Sequence, residues 1–438
     1  MKTDTVEAAV AAGEPVPISA RVHWIGALDP TLRNFDIILK TANGTSYNAY
    51  VVRGSAGVAV VDTVKEKFAG DFFARLEKVA GYDEIKAIVL NHLEPDHTGA
   101  LPELMERCPN ARLYISFKAQ MMLKALLKRE SMEFTPVNTG YSIDLGDRTL
   151  QFLHTPYLHW PDTQCTYLRE EKLLFSGDVF GCHFCDPRLF NDKVGDFRFS
   201  FEYYYAHIMR PFKDYVEQAL ELIEPLELQC IAPAHGPILR DRPRAYVGRY
   251  RELSTPRLKS EVSPNEKTLL IFYISSYGNT ARMAEAIYAA AQRVEGVRAS
   301  LYDLEGGETD TFADLLEEAD GFVLGSPTIN GDAVKPIWDL LSSLTVINIK
   351  GKIGAAFGSY GWSGEAVRMI EDRLRGLKLR VPVQGLRVKL IPTLEEIEAC
   401  RKFGQDLGEE LVGRRAARVI DMSDLLKNDL LNLGENHG

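Results

Sequence analysis

The chain is expected to be an α/β protein of two unlike halves, the second of them a doubly wound parallel sheet. Between residues 46 and 236, short strand-like runs follow one another and end in polar loops. From Thr268 onward, apolar runs alternate regularly with helical stretches. Residues 254–266 separate the two patterns with prolines, serines and several charges, the composition of a linker.

The first half offers strand candidates at 47–52, 58–62, 87–91, 112–115, 150–153, 172–176 and 229–232, with helices near 68–80 and 102–107. Several strands are consecutive without a helix between them, so a mixed sheet is expected rather than a purely parallel one. In the second half, runs at 268–274, 298–304, 321–324 and 352–358 precede helices near 280–294, 311–319, 334–344 and 364–374. A final helix is expected over 394–412, and the pattern describes five strands with intervening helices. This gives an N-terminal extension over 1–20, a first domain over 21–262, a second over 263–420 and a polar, Asn-rich tail over 421–438.

A chain of 438 residues can bury a full core in each of two domains. A net charge of -10 argues against a nucleic-acid partner or an anionic membrane surface. Six irregularly spaced cysteines make no secreted disulfide framework, and no run approaches the roughly 18 apolar residues of a membrane span. The N-terminus lacks the apolar core of a signal peptide. The expected location is the cytoplasm.

The chemistry concentrates in two places. Eight of the nine histidines precede residue 236, so a metal site is sought in the first half. The segment Asn91-His92-Leu93-Glu94-Pro95-Asp96-His97 follows the apolar run 87–90 and sets four potential ligands at one strand end. Four residues do not close a binuclear site. His159, Asp178 and His235 each sit just past another run, beside Gly or Pro. Any one of these histidines alone is more simply a hydrogen-bonded core residue, but together they form a ligand set. His154 is read as structural. Cys182 and Cys185 lack a second Cys-x-x-Cys pair and are read as free thiols.

In the second half, Ser275-Ser276-Tyr277-Gly278-Asn279-Thr280 joins a strand to a helix. It is neither a dinucleotide nor a P-loop signature. Its hydroxyls at Ser275, Ser276 and Thr280, with the amides of the helix start, suit one terminal phosphate. An ordinary N-cap would explain one hydroxyl, not three. Two further loops, Ser326-Pro327-Thr328-Ile329-Asn330 and Ser359-Tyr360-Gly361-Trp362-Ser363-Gly364, follow the third and fourth strands. There ligands bind in open α/β sheets. Small residues let amides approach a flat ring, and Tyr360 or Trp362 could line it; core packing is the other reading of Trp362.

The order His92, Glu94, Asp96, His97, His159, Asp178, His235 resembles the metallo-β-lactamase motif, His-x-[His/Glu]-x-Asp-His followed by a distant His, Asp and His. Hydrolases of that fold usually carry His where this chain has Glu94. A carboxylate-richer shell suits iron. Together with the segment Leu158-His159-Trp160-Pro161-Asp162 and a loop resembling the flavodoxin phosphate loop, this looks like the flavodiiron proteins, or A-type flavoproteins. The resemblance spans about residues 22 to 418.

It implies a metallo-β-lactamase-like αββα sandwich followed by a flavodoxin-like sheet. One iron would be held by His92, Glu94, His159 and Asp178, and the other by Asp96, His97, His235 and the bridging Asp178. FMN would lie on the three loops. It also implies reduction of dioxygen to water, of nitric oxide to nitrous oxide, or both, with electrons from a donor such as rubredoxin or a reduced deazaflavin. A head-to-tail homodimer, or a homotetramer built from it, would bring each flavin to its partner's irons. Tyr204 matches a tyrosine beside the irons of the family, with an ordinary helix aromatic as the equal alternative. Asp36 stands where many relatives have His. A zinc-dependent hydrolase fused to a flavodoxin-like domain is the rival enzyme, and a non-catalytic electron carrier the rival without chemistry.

Overall fold

The computed structural model describes residues 3–35, 39–128, 133–255, 266–305, 312–349 and 351–414. Asp36, most of the expected linker and the whole expected tail lie outside them. Contacts divide the chain into two units, Met1–Pro256 and Arg257–Gly438.

In the first unit, apolar residues run continuously through central strands such as Tyr50–Arg53 and Val58–Val61 because both faces are covered, whereas the edge strand Ser142–Asp144 alternates. In Val58–Val61 all four residues are buried; Ala59 and Val61 face one core and Val58 and Val60 another. A seven-stranded sheet runs Val16–Pro17, Val22–Trp24, Tyr50–Arg53, Val58–Val61, Ile85–Val89, Arg112–Ser116 and Phe134–Val137, antiparallel over its first four strands and parallel beyond. A five-stranded sheet runs Ser142–Asp144, Thr149–His154, Gln164–Leu168, Leu173–Gly177 and Cys230–Pro233, antiparallel except for its last pair.

Between the sheets lies a core containing Trp24, Tyr50, Val61, Val89, Phe152, Phe175 and Ala232. Their outer faces are covered by helices. Phe72, Phe73 and Leu76 of Ala69–Leu76 cover one side, and Val216 and Leu220 of Lys213–Ile223 the other. The result is the αββα sandwich that the resemblance implied.

Residues 3–20 are part of this unit. Thr3–Ala11 is a helix whose Val6 and Val10 are buried in the inter-sheet core, and Val16–Pro17 forms the edge strand. The strand expected over 47–52 is broken into Thr45–Tyr47 and Tyr50–Arg53. Asn48 sits at the break. Its Nδ2 donates to the carbonyls of Pro233 and Gly236, both at 2.9 Å, and its Oδ1 accepts from Trp24 Nε1 at 2.9 Å. That triple contact fastens the loop carrying His235.

The second unit is a five-stranded parallel sheet in the order Val297–Asp303, Lys267–Tyr273, Gly321–Gly325, Ile353–Tyr360, Leu386–Lys389. One face carries the helices Lys335–Ser343 and Ala366–Gly376, the other Asn279–Ala291 and Leu394–Leu411. The fifth strand, Leu386–Lys389, is the one no apolar run had located. The strand order reverses at Lys267–Tyr273, and the loops at that end are the expected ligand site.

Candidate metal centre and flavin loops

The seven residues of the first half come from four strand ends and meet in one buried cluster. Glu94 is the extended residue before the short helix Pro95–Thr98, which carries Asp96 and His97. The helix is pinned because the His97 carbonyl accepts from Thr63 N at 2.9 Å and Thr63 Oγ1 at 2.7 Å. Asp178 follows the strand Leu173–Gly177, and His235 follows Cys230–Pro233. Gly236 holds φ at +78°, and a Cβ there would lie 2.6 Å from the Cys182 carbonyl, so the turn after His235 requires glycine.

The donor atoms fall into two groups, His92, Glu94, His159 and Asp178, and Asp96, His97 and His235. In the first, His92 Nε2 and His159 Nε2 each lie 3.1 Å from Glu94 Oε2, and 3.7 and 3.5 Å from Asp178 Oδ2. In the second, Asp96 lies 3.3 Å from His97 Nε2 and 3.1 Å from His235 Nε2. Asp178 Oδ1 completes it at 3.4 and 3.5 Å. Asp178 thus gives one oxygen to each group. Ligands about 2.0–2.2 Å from an ion stand about 3.0–3.5 Å apart, as these do except for His92 and Asp178 at 3.7 Å.

The hydrogen bonding supports a cation rather than a polar network. Both oxygens of Asp96 and Asp178, and His97 Nε2, are buried without a hydrogen-bond partner. His235 Nδ1 donates to the Ser46 carbonyl at 2.7 Å, and His92 Nδ1 donates to Asp162 Oδ2 at 3.1 Å. With the proton held on Nδ1, a neutral ring turns its Nε2 lone pair toward the carboxylates, and the same bond fixes its orientation. Burial alone would lower the pKa values of His92, His97 and His159. The carboxylates outweigh it and push them up to about 10, 9 and 10. Asp178 is held well below the usual carboxylate range against its burial, chiefly by the His97 charge and the His159 contact. The donors fit two cations of a metal that accepts both imidazole and carboxylate.

His154 belongs to neither group, as expected. The described cysteines are free; Cys182 is buried and Cys185 half-buried. Tyr204 is buried with its ring 5.0 Å from His183 and 6.4 Å from His235, which places it beside the second group.

Two residues of this site were assigned no role from the sequence. Asp162 also accepts from Leu93 N at 2.7 Å, so one oxygen orients a candidate ligand and its loop. Its signal was a carboxylate three residues beyond His159 in a Trp-Pro-Asp turn. His183 packs on Phe35 at 4.3 Å and His235 at 5.2 Å and meets Thr45 Oγ1 at 3.0 Å. Burial and the neighbouring His235 hold its pKa down to about 3. Its position between Cys182 and Cys185 gives no sequence signal of this contact.

In the second unit the three expected loops meet at one end of the sheet. Thr280 Oγ1 lies 2.9 Å from Ser359 Oγ, joining the first loop to the third. Thr328 Oγ1 accepts from Ala366 N at 3.4 Å, joining the second to the helix after the third. Gly278, at φ +77°, precedes the helix Asn279–Ala291 and has no side chain to cap it; a Cβ there would meet nothing within 4 Å. The helix start is therefore accessible to an anion. Ser275 Oγ accepts from Ala281 N at 3.2 Å, and Ser276 is exposed.

Ser326 turns inward, donating to the Pro327 carbonyl and accepting from Val334 N, so it shapes its loop. Tyr277 and Trp362 are 92% and 78% exposed on separate loops, which excludes core packing for Trp362. Tyr360 lies against Gly364, where a Cβ would be 3.0 Å from its ring. Two outward aromatics over small, Gly-rich loops fit a flat ring bearing a single phosphate.

These sites define a class: a lactamase-like sandwich with a carboxylate-rich binuclear centre, joined to a flavodoxin-like unit. Residues 45–236 match the ODP family beta lactamase model and 271–404 the flavodoxin model. The chain is 62% identical to the type A flavoprotein fprA of Rhodobacter capsulatus, over 94% of this chain and 95% of that one. It is 33% identical to a nitric oxide reductase of Moorella thermoacetica, over 93% and 100%. The solved rubredoxin oxygen:oxidoreductase of Desulfovibrio gigas superposes with a TM-score of 0.64 at 28% identity, over 92% and 100%. The chain belongs to the type A flavoprotein family, the flavodiiron proteins.

Proposed function

We propose that this chain is an oxidoreductase that reduces dioxygen to water, nitric oxide to nitrous oxide, or both, at two irons supplied with electrons by FMN. The observation that carries the reading is Asp178, whose two oxygens are divided between two buried donor groups. His92, Glu94, His159 and Asp178 hold one iron; Asp96, His97, His235 and Asp178 hold the other. FMN rests on the loops of Ser275–Thr280, Ser326–Asn330 and Ser359–Gly364. When bound, the irons supply open coordination positions and redox change, and the flavin supplies electrons.

The chain's own side chains do the rest. Asp162 and the Ser46 carbonyl fix the rings of His92 and His235. Burial, and then the charges of Asp178, Glu94 and Asp96, keep the Tyr204 hydroxyl protonated, so it can donate toward the site. His159, with 15% of its side chain exposed against 1–2% for His92, His97 and His235, marks the more open edge. Relatives bear names for both gases, and the donor set is compatible with either.

A rubredoxin or a reduced deazaflavin is a suitable electron source. A compact domain has a radius of roughly 15–20 Å, so a flavin at one domain's strand ends is best placed to serve the irons of a second chain. A head-to-tail homodimer, or a tetramer of such dimers, in the cytoplasm follows from this reading. No described helix is long and apolar enough to cross a membrane.

Metal and flavin analysis, followed by anaerobic stopped-flow consumption of each gas by the reduced protein, tests the proposal. About two irons and one acid-released FMN per chain are expected. A dizinc protein made in ample iron, with esterase or lactamase turnover, would establish the hydrolase instead.

A further inference from the structure

The flavodoxin-like unit is electrically polarised across its sheet. At one edge, the strand Val297–Asp303 leads into residues 303–320, which contain eight Asp or Glu and no Lys or Arg. At the other edge, residues 365–389 contain seven Lys or Arg against three Asp or Glu. The whole chain carries -10, so this basic edge runs against the average of the molecule.

Arg380 turns to the other face, where it pairs with Glu410 at 3.6 Å, but Arg387 and Lys389 share the face of the helix Ala366–Gly376. Val388 of the edge strand Leu386–Lys389 is buried in the core under Asn279–Ala291 and Leu394–Leu411, and Leu386 packs against it. The strand period of two turns Arg387 and Lys389 to the opposite face, the face covered by Ala366–Gly376. Glu371 of that helix accepts from Gly385 N at 2.6 Å, fastening helix and strand together. Arg387 and Lys389 are exposed, and neither has an ion-pair partner among the described residues. Arg368 reaches Asp372 only at 3.9 Å, and Asp372 is already matched by Arg375 at 3.3 Å.

This face reaches the flavin loops. Lys389 pairs in register with Tyr360, and Leu390 N donates to the Tyr360 carbonyl at 2.8 Å. Directly beyond the strand, Leu390 and Ile391 are exposed apolar residues, and Trp362 stands exposed two residues past Tyr360. Long-range positive charge flanking a small apolar contact beside a redox group suits brief, oriented encounters with a negatively charged partner.

We infer that the face of Arg368, Arg387 and Lys389, with Leu390 and Ile391, is the docking site for an acidic one-electron carrier protein that reduces the bound flavin. The inference rests on the FMN reading above. Each encounter oxidises one carrier by one electron and reduces the flavin by one. Two encounters, with protons from solvent, complete the two-electron reduction.

The test uses the full-length flavin-loaded protein and follows flavin bleaching by anaerobic stopped flow. The probe is a chemically reduced rubredoxin of strongly negative net charge; photoreduced deazaflavin serves as a small reductant that needs no docking face. For the wild type, the bimolecular rate with rubredoxin should fall as salt rises. In the R387E/K389E double variant it should drop by about ten-fold or more at low salt and lose most of its salt dependence. R387Q/K389Q should lie between them, and R293E, an exposed position just past the helix Asn279–Ala291 on the other face, should behave as wild type. Bleaching by deazaflavin should be unchanged throughout.

Wild-type rates and salt dependence in R387E/K389E would overturn the inference. So would its conversion to a smaller oligomer by sedimentation, which would make the face a contact between copies of the chain. Absence of FMN from the wild type would instead strike at the functional reading itself.

Discussion

Replacing Asp162 by Asn should weaken one metal position and spare the other. Asp162 Oδ2 accepts two bonds, from His92 Nδ1 at 3.1 Å and Leu93 N at 2.7 Å, and its side chain is fully buried. Asn can still offer an oxygen to both donors, but without charge, and charge-assisted hydrogen bonds are roughly twice as strong as neutral ones. Its new NH₂ would occupy the place of Oδ1, which has no hydrogen-bond partner. The His92 ring loses basicity and some of its orientation. Loss of such an orienting partner typically costs about 10–100-fold in metal affinity, or about 1.4–2.8 kcal/mol.

The second group has a different anchor, since His235 donates to a backbone carbonyl that no substitution removes. Iron content measured after dialysis against a graded series of chelator should therefore fall in two steps, the first at a lower chelator concentration than in the wild type. Circular dichroism verifies that the fold is intact. Two irons retained at wild-type affinity, or lost together in a single shifted step, would show that Asp162 does not act through His92.

Three further outcomes follow from the same geometry. Asp178→Ala removes the one residue common to both groups, so metal analysis should find both irons lost or a single ion in their place. Thr280→Glu puts a negative charge and added bulk beside Ser359 Oγ, and FMN titration should show weakened binding with iron content unchanged. His183 is held neutral when folded, down to about 3 against an ordinary 6.5. Below 6.5 the unfolded state therefore takes up a proton the folded state refuses, and stability falls with pH between those values. Denaturant melts of the wild type and His183→Gln should differ in slope across that window.

Much of the fold was legible because the two sheets impose unlike periods. Strands covered on both faces, such as Val58–Val61, are unbroken apolar runs, and the parallel strands of the second unit alternate with helices, with one short hairpin, Thr328–Ile329 and Asp332–Ala333, inserted after Gly321–Gly325. What escaped notice was set by tertiary contacts. Leu386–Lys389 is a short edge strand with two exposed basic residues, so it carries no apolar run. The break at Asn48 exists because its amide serves the turn around His235, nearly two hundred residues away. The helix Thr3–Ala11 looked like a polar extension because only a narrow stripe, Val6 and Val10, reaches the core.

The cluster of seven donor side chains was legible for a different reason: it rests on residue types at strand ends, and strand ends are what the apolar runs locate. In the proposed reading, Glu94 separates this centre from a hydrolytic one. A histidine there would add a neutral donor. Glu94 places one anionic oxygen 3.1 Å from two imidazoles at once and brings the site to three carboxylates. Two divalent ions against three negative ligands leave one net positive charge, and each one-electron oxidation adds another in a buried pocket. With neutral histidine in its place, the same oxidation would strand one more uncompensated positive charge at a site of 1–8% side-chain exposure, apart from His159. A centre that must change oxidation state gains from that carboxylate, whereas a zinc centre, with no redox change, does not need it. On the proposed ligand set, the single substitution that distinguishes the motif from its hydrolytic relatives falls where the electrostatics of a redox metal favour it.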